Sequence, residues 1–255
     1  MAKIRDLSVY DGVNVDYSAY DGFVIRCFNG SVKDTLFETH KAGAKKAQKP
    51  WWAYMFFNFL YPVLPQIQVV INIIKSEKGN LPLAFDVEEW GGHHFPPRDT
   101  LLSYLQVLVV QYKLAFGENP QIYMNPATIH YLKPIPAWLL ACIMWIAHWD
   151  VAVPDSEPWV WTFWQYKSYA GEDFNAFNGT DEEYQEYVSI ILPNKVITTA
   201  GSLYIRKTPA GIIVGYVPYH TILGVIGEAY DTTGYKWWKV GDQSYVGSSW
   251  CEGIE

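Results

Sequence analysis

Residues 83–88 read Leu83-Ala84-Phe85-Asp86-Val87-Glu88, a short apolar run that ends in two acidic residues. The run predicts a buried strand, on which side chains two positions apart point to the same face. We therefore expect Asp86 and Glu88 to project together while Val87 faces the opposite layer. Neighbouring carboxylates repel each other as anions, which raises one pKa and suits a proton donor near neutral pH. Two solvated acids at a surface strand end are the alternative interpretation.

Further strand-like runs occur before and after this one, each followed by turn residues and often by a helical pattern. Such a rhythm predicts an α/β barrel or a doubly wound sheet. The clearest helix covers residues 98–116, where Asp99 can cap the start and Gly117 the end. Another amphipathic helix is expected at 34–47, and no glycine-rich phosphate motif supports a nucleotide fold. The other predicted strands are residues 4–9, 23–28, 51–57, 121–124, 143–148 and 161–166.

Two more acids fall near predicted strands. Asp6 lies in the first strand, and Asp173 lies in residues 171–179, just after the last one. If the strands close into a barrel, their carboxyl ends meet at one rim, where barrel enzymes place catalytic groups. Four acids would then share one pit. Helix capping and turn formation are the alternative roles of Asp6 and Asp173.

The character of the chain changes near residue 190. An acidic helix at 181–189 precedes a Pro-, Gly- and Thr-containing segment, and no helical period follows it. We expect a first domain over residues 1–190, a linker over 191–201 and a small β-barrel over 202–255. The predicted strands of this second domain are residues 203–206, 212–217, 221–228, 237–240 and 245–247.

The composition excludes several classes of protein. A net charge of −7 without a basic stripe argues against nucleic-acid binding. Cys27, Cys142 and Cys251 are far apart and odd in number, so we expect free thiols. The adjacent His93 and His94 follow two glycines and lack a third ligand at the usual spacing, which favours a loop over a metal site. Aromatic residues reach 17%, which indicates either a ring-rich core or a sugar-binding cleft.

Residues 51–74 are nearly uncharged, but Pro62 and Pro65 interrupt them, which predicts a strand, a turn and a helix rather than a membrane span. Charged residues occur within the first few positions of residues 1–12, and this segment lacks the apolar core of a secretory signal. Export by the general route is therefore not expected.

Several segments resemble, in the same order, the signature segments of glycoside hydrolase family 25, and together they span about residues 4 to 188. They are Asp6-Leu7-Ser8-Val9-Tyr10-Asp11-Gly12 with Val15-Asp16-Tyr17, Phe23-Val24-Ile25-Arg26, Tyr54-Met55-Phe56, Leu83-Ala84-Phe85-Asp86-Val87-Glu88, Gln121-Ile122-Tyr123, Trp145-Ile146-Ala147-His148-Trp149, Trp164-Gln165-Tyr166 and Asp173-Phe174-Asn175-Ala176-Phe177-Asn178-Gly179.

This resemblance implies an irregular TIM-like barrel that hydrolyses the β-1,4 bond between N-acetylmuramic acid and N-acetylglucosamine, without a metal or other cofactor. It implies Glu88 as general acid and Asp86 as the group that orients or stabilises the substrate, with Asp6 and Asp173 completing an acidic floor. An enzyme nucleophile and the substrate's own N-acetyl oxygen are both open for the second step. Candidates for sugar contact are Tyr54, Tyr123 and Trp145.

The sequence departs from the family pattern at three places. Asp11 stands where a glutamine often precedes the glycine, Met55 replaces a frequent histidine, and Glu89-Trp90 lengthens the edge after the two acids. All four acids are retained. The departures therefore bear on substrate preference more than on the reaction.

Residues from about 200 to 252 resemble bacterial SH3-type domains, through Leu203-Tyr204-Ile205-Arg206-Lys207-Thr208-Pro209, Ile213-Val214-Gly215, Trp237-Trp238-Lys239-Val240 and Tyr245-Val246-Gly247. The resemblance implies a module that holds the enzyme to the cell wall and raises the local substrate concentration. A small barrel that only packs on the first domain is the alternative.

Taken together, these features predict a monomeric phage or prophage endolysin whose partner is bacterial peptidoglycan. It would be made in the host cytoplasm without a signal peptide, reach the wall after release, and insert into no membrane. Two alternatives stay open: a related glycosidase acting on chitin-like polymers, and a wall-binding protein that has lost turnover.

Overall fold

The computed structural model describes residues 2–169, 171–189, 195–225, 227–241 and 243–254. The chain divides into two compact units. The first unit contains Met1–Ala44 and Lys49–Tyr184, and the second contains Lys45–Gln48 and Gln185–Glu255.

The first unit is a closed barrel of eight strands that follow one another in chain order around the ring. Each of the first seven strands pairs in parallel with its neighbour, as expected where helices cross between strands. The strands are β1 (Lys3–Leu7), β2 (Gly22–Asn29), β3 (Trp51–Phe56), β4 (Ala84–Asp86), β5 (Gln121–Met124), β6 (Ile143–Ala147), β7 (Trp161–Tyr169) and β8 (Glu172–Phe177).

The helices of this part of the chain follow the strands unevenly, which makes the barrel irregular. Residues 148–160, between β6 and β7, are all described and hold no helix. No helix of the described residues is both long and apolar enough to cross a bilayer. The helices are α1 (Phe37–Lys46), α2 (Val63–Ile74), α3 (Arg98–Phe116), α4 (Pro126–Leu132), α5 (Ala137–Leu140) and α6 (Asp181–Ser189).

The longest helix, α3, has the predicted bounds but not the predicted cap. Pro97 occupies the N-cap position without a side-chain cap, and Asp99 lies inside the first turn, where its carboxylate interacts favourably with the helix dipole. The expectation that Asp99 caps α3 is therefore wrong. At the other end Gly117 adopts φ +75° and donates its N–H to the carbonyl of Lys113 at 2.9 Å, as a C-terminal glycine does.

The eighth strand, β8, was not predicted from the sequence, in which residues 171–179 follow the last expected strand. β8 runs antiparallel to both β7 and β1 and so closes the barrel. Its glycine, aspartate and asparagine residues resemble a turn in sequence. The barrel overrides that tendency because Asn175 and Ala176 are almost fully buried and the amide of Asn175 is hydrogen-bonded.

The second unit is built of strands around a small core of Val196, Leu203, Trp238 and Val246. One sheet has the order β11-β10-β15-β14-β13, and the other has the order β12-β9-β16. These strands are β9 (Lys195–Thr198), β10 (Ser202–Arg206), β11 (Ile213–Pro218), β12 (Ile222–Gly224), β13 (Gly227–Tyr230), β14 (Lys236–Gly241), β15 (Ser244–Gly247) and β16 (Cys251–Ile254).

The segment predicted as a linker, residues 191–201, has two parts. Residues 191–194 lie outside the described residues, whereas β9 pairs with both β12 and β16. The single run predicted at 221–228 corresponds to two strands, β12 and β13.

Candidate active site

A cleft of about 500 Å³ opens at the rim of the barrel where the parallel strands end. All four acids singled out in the sequence line it. Asp6 lies near the end of β1 and Asp86 ends β4, with Glu88 two residues further on. Asp173 comes from the start of β8, which reaches the same rim because that strand runs in the opposite direction.

The side chains of residues 86–88 alternate between the cleft and the core, as expected. Val87 is fully buried in the hydrophobic core, whereas Asp86 and Glu88 both face the cleft. Backbone hydrogen bonds fix this turn of the chain: Val87 N–H donates to the carbonyl of Tyr123 at 3.0 Å, and Phe57 N–H donates to the carbonyl of Asp86 at 2.9 Å. The two carboxylates therefore project from a backbone that is anchored to strands on both sides.

Asp6 is held by two side-chain amides. Its Oδ2 accepts hydrogen bonds from Nε2 of Gln165 at 3.0 Å and from Nδ2 of Asn175 at 2.9 Å. Burial and the nearby Asp173 nevertheless raise the pKa of Asp6 to about 8, because loss of water and a second carboxylate both disfavour the anion. Asp6 is thus a proton-holding group over much of the neutral range.

The pKa values of Asp86 and Glu88 are raised as well. Burial, followed by the charges of Glu88 and Asp6, raises the pKa of Asp86 well above its usual range, while Arg26 opposes the shift. Burial and the charge of Asp173 raise the pKa of Glu88. One oxygen of Asp86, Oδ1, is buried and has no hydrogen-bond partner among the described residues. The raised pKa values favour protonated carboxyl groups in the cleft, and acid catalysis of glycosidic bond cleavage requires such a group.

The three aromatic residues proposed for sugar contact, Tyr54, Tyr123 and Trp145, also line the cleft. They expose only 9%, 7% and 3% of their surfaces, and the rings of Tyr123 and Trp145 meet edge to face at 4.6 Å. Trp145 Nε1 donates to Oδ1 of Asn175 at 2.8 Å, and the Tyr123 hydroxyl donates to Oε1 of Gln165 at 2.9 Å. These two rings orient the amides that hold Asp6, and sugar contact by the three residues stays a prediction.

Gln165 and Asn175 are site residues that the sequence analysis did not single out. A signal for Gln165 was available, because it stands two positions after the apolar Phe163 on a strand and shares its inward face. Both are buried, at 1% exposure for Phe163 and 4% for Gln165. Asn175 could not be found in this way, since the strand that carries it was not predicted.

The sequence analysis also did not single out Arg26, a positively charged residue that lines the cleft. Arg26 donates from Nε to Oδ2 of Asp34 at 2.8 Å, and both side chains are buried. The guanidinium lies 5.0 Å from the ring centroid of Tyr10, which is 84% exposed. Arg26 and Tyr10 both line the cleft. They place one positive charge beside the four carboxyls.

The three departures from the family pattern have separate structural consequences. Met55 is fully buried in the core, because strand alternation directs Tyr54 and Phe56 to the cleft instead. Asp11 pairs with Arg5 at 3.0 Å. Trp90 lines the cleft, and its ring contacts those of Phe56 and Phe59 at 4.9 and 4.5 Å between centroids.

The histidine pair lies near this edge. Nδ1 of His94 is 3.1 Å from a carboxylate oxygen of Glu89, and the His93 ring packs 5.5 Å from that of Trp90. Within the described residues, no group of three or more His, Cys, Asp and Glu side chains is arranged to hold a metal ion.

Comparison with known proteins relates the barrel to a single family. The family model described as "Glycosyl hydrolases family 25" matches residues 6–172, which include Asp6, Asp86 and Glu88. A curated relative, "Uncharacterized protein YegX" of Escherichia coli O157:H7, is 27% identical over 144 residues, covering 53% of this chain and 51% of that protein. The chain thus spans about half the length of the curated relatives it matches.

Two solved structures have the same barrel. A family 25 glycosyl hydrolase from Bacillus anthracis is 25% identical with a TM-score of 0.64, and the match covers 73% of this chain and 93% of that one. A muramidase from Trichobolus zukalii is 20% identical with a TM-score of 0.64, covering 74% of this chain and 99% of that one.

Proposed function

Because the chain belongs to glycosyl hydrolase family 25, we propose that it is a muramidase, which hydrolyses the β-1,4 bond between N-acetylmuramic acid and N-acetylglucosamine in peptidoglycan. The observation that carries this proposal is the convergence of four carboxyl groups in one cleft, with the pKa of Glu88 raised. Such a set supplies both a proton for the leaving group and negative charge for a cationic transition state.

In this proposal Glu88 is the general acid. It is more accessible than the almost fully buried Asp86, and burial together with the charge of Asp173 favours its protonated form. Glu88 would transfer its proton to the glycosidic oxygen as the bond to the sugar breaks. The leaving group then departs as a neutral hydroxyl rather than as an alkoxide.

Asp86 would act on the sugar at the other side of the breaking bond. Asp86 lines the cleft, and its carboxyl group can accept a hydrogen bond from the substrate's acetamido N–H. Asp6 and Asp173 would complete the acidic floor of the cleft beneath the sugar ring. Either an enzyme carboxylate or the acetamido oxygen can form the new bond to the anomeric carbon as the glycosidic bond breaks. Water would then cleave that new bond and give its proton to Glu88, which restores the acid.

For the second unit we propose a wall-binding role of the SH3 type. The support is its all-β construction around a small core, together with the sequence resemblance described above. A tethered binding unit raises the concentration of a polymeric substrate near the cleft without changing the chemistry.

We also propose that the protein serves as a phage or prophage endolysin. Cys27 and Cys142 are buried free thiols, as suits synthesis in a reducing compartment. Bacteria expressing the chain should lyse only when their inner membrane is opened, for example by chloroform. Lysis that needs no such opening would contradict this setting.

Digestion of purified peptidoglycan by wild type and Glu88→Gln tests the reaction. The substitution keeps the shape of the side chain but removes the transferable proton, so we expect the rate to fall at least 100-fold, the lower range for general acid catalysis. Glu182→Gln is the matched control, because Glu182 is exposed on α6. It should cleave like the wild type.

Mass spectrometry of borohydride-reduced fragments identifies the bond. New reducing ends on N-acetylmuramic acid support a muramidase. Reducing ends on N-acetylglucosamine would assign the other bond, and equal cleavage of soluble chitooligosaccharides would favour the chitin-type alternative. Unchanged cleavage by Glu88→Gln would remove Glu88 from the mechanism.

A further inference from the structure

The second unit contains a pocket of about 600 Å³, separate from the carboxyl cleft and lined only by residues of that unit. Its walls come from β10, from the segment leading into β14, and from the short helical turn Ser248–Trp250. Volumes of this size are typical of sites for small ligands.

Four of the described residues that line the pocket are aromatic: Tyr204, Tyr235, Trp237 and Trp250. Tyr204 and Trp250 are 54% and 56% exposed, whereas Trp237 is buried and meets Tyr235 edge to face at 5.6 Å. The inner rings are fixed, since Trp237 Nε1 donates to Asp231 at 3.1 Å and the Tyr235 hydroxyl accepts from Ser249 N–H at 3.0 Å. Rigid rings bind a ligand with little loss of side-chain entropy.

Among the described residues that line the pocket, only Arg206 is charged. Strand alternation directs Tyr204 and Arg206 into the pocket, while the intervening Ile205 packs on the core of the unit. One Arg206 nitrogen donates to the carbonyl of Gly211 at 2.6 Å, and the guanidinium lies 5.8 Å from the ring centroid of Trp237. No carboxylate in the described ranges forms an ion pair with Arg206.

We infer that this pocket binds a short peptide through its free carboxylate. Arg206 retains donors that can face a carboxylate, and a planar guanidinium recognises that group with two parallel hydrogen bonds. The aromatic walls cover the apolar part of the peptide. A neutral N-acetylated glycan would stack on the same rings but would leave the positive charge without a partner.

This inference rests on the proposed wall-binding role, since the peptide part of peptidoglycan carries such carboxylates. It adds what that proposal does not contain: the residues that bind, and a preference for the anionic peptide over the sugar chain.

Calorimetry with the full chain tests the inference. The probes are a synthetic pentapeptide that ends in D-Ala-D-Ala with a free carboxylate, the same peptide as its C-terminal amide, and a chitooligosaccharide. We expect the free acid to bind at least tenfold more tightly than the amide. Arg206→Gln should weaken binding of the acid at least tenfold and abolish the difference between acid and amide, as a double-mutant cycle requires.

Two further variants separate recognition from folding. Trp250→Ala should weaken both peptides several-fold, because its exposed ring is removed. Tyr219→Ala, which removes an exposed ring that follows β11 and lies outside the pocket, should leave both unchanged. Unaltered thermal unfolding of each variant shows that the unit remains folded.

Tighter binding of the chitooligosaccharide than of the peptide would overturn the inference, as would an acid preference that survives Arg206→Gln or an absence of peptide binding. Cleavage of soluble glycan fragments is measured in parallel, and Arg206→Gln should retain it. If Glu88→Gln loses cleavage but no peptide binds, only this inference fails. If the peptide binds through Arg206 but Glu88→Gln cleaves normally, only the proposed reaction fails.

Discussion

Nε2 of Gln165 donates a hydrogen bond to Oδ2 of Asp6 at 3.0 Å, and the opposite end of the same amide accepts two hydrogen bonds. These come from the Tyr123 hydroxyl and the Trp149 indole, each at 2.9 Å from Oε1. Because the indole can only donate, the amide oxygen must face it, and the amide nitrogen must face Asp6. Gln165 therefore holds the carboxyl group of Asp6 in position, although its own amide cannot take over the chemical role of that group.

Gln165→Leu tests this positioning. The variant removes one of the two donors to Asp6 and leaves two ring donors unpaired, so we expect kcat to fall at least tenfold with a smaller change in KM. Gln165→Glu should be no better, because it places a further carboxyl group, in addition to that of Asp173, against Asp6. Gln106→Leu, on the exposed face of α3, is the control and should retain full activity. Normal kcat in Gln165→Leu would show that Asp6 does not depend on this amide.

Asp6 makes stability depend on pH. Its pKa is about 8 in the folded chain and 3.8 as the ordinary value, so the folded state holds the proton more tightly than the unfolded state. The stabilising effect of that proton is complete below about pH 4 and is lost as the pH rises to about 8. We expect Asp6→Asn to reduce the decline in free energy of unfolding between these limits, measured by urea denaturation at a series of pH values. A decline equal to that of wild type would contradict the raised pKa.

We expect Asp173 to set the alkaline limit of activity through its charge. Its charge is one of the two causes that raise the pKa of Glu88. Asp173→Asn removes that charge, so Glu88 should lose its proton at lower pH, and the alkaline limb of the residual kcat/KM should move in the acid direction. Asp155→Asn, an exposed acid outside the cleft, should leave the limb in place. An alkaline limb that moves to higher pH would contradict the proposed coupling.

Tyr112 supports the strand that carries Asp86. Its buried hydroxyl accepts from Leu83 N–H at 3.1 Å and donates to Glu118 at 2.7 Å. Tyr112→Phe leaves the buried Leu83 N–H without that partner, so we expect a loss of about 1–3 kcal/mol in the free energy of unfolding. Tyr104→Phe on the same helix is the control, since no hydrogen bond of its hydroxyl is described. Equal stability of Tyr112→Phe and wild type would show that another group satisfies Leu83.

The acidic half of the site could be predicted from the sequence because local patterns encode it. Asp86 and Glu88 follow an apolar run, and the period of two on a strand is enough to place both in the cleft. Asp6 stands in the first strand, so barrel closure alone brings it to the same rim.

The amide half of the site could not be predicted in the same way. Asn175 reaches Asp6 across 169 residues of sequence, through a strand whose composition resembles a turn. Arg26 joins the cleft because its charge pairs with Asp34 beyond the end of β2, which no periodicity indicates. Such contacts depend on tertiary packing, and packing overrides the local preference of short polar segments.

The reversed direction of β8 also limits how this barrel can vary in length. Tyr169 pairs with Glu172 at the end of the hairpin, so only two residues connect β7 to β8. Side chains on a strand alternate between faces, so one residue inserted between Asp173 and Asn175 would turn one of the two away from Asp6 unless a bulge absorbed it, as the irregularity between Gln165 and Lys167 does on β7. Homologous barrels should therefore keep the spacing between Asp173 and Asn175, and differences in length are expected outside the paired strands.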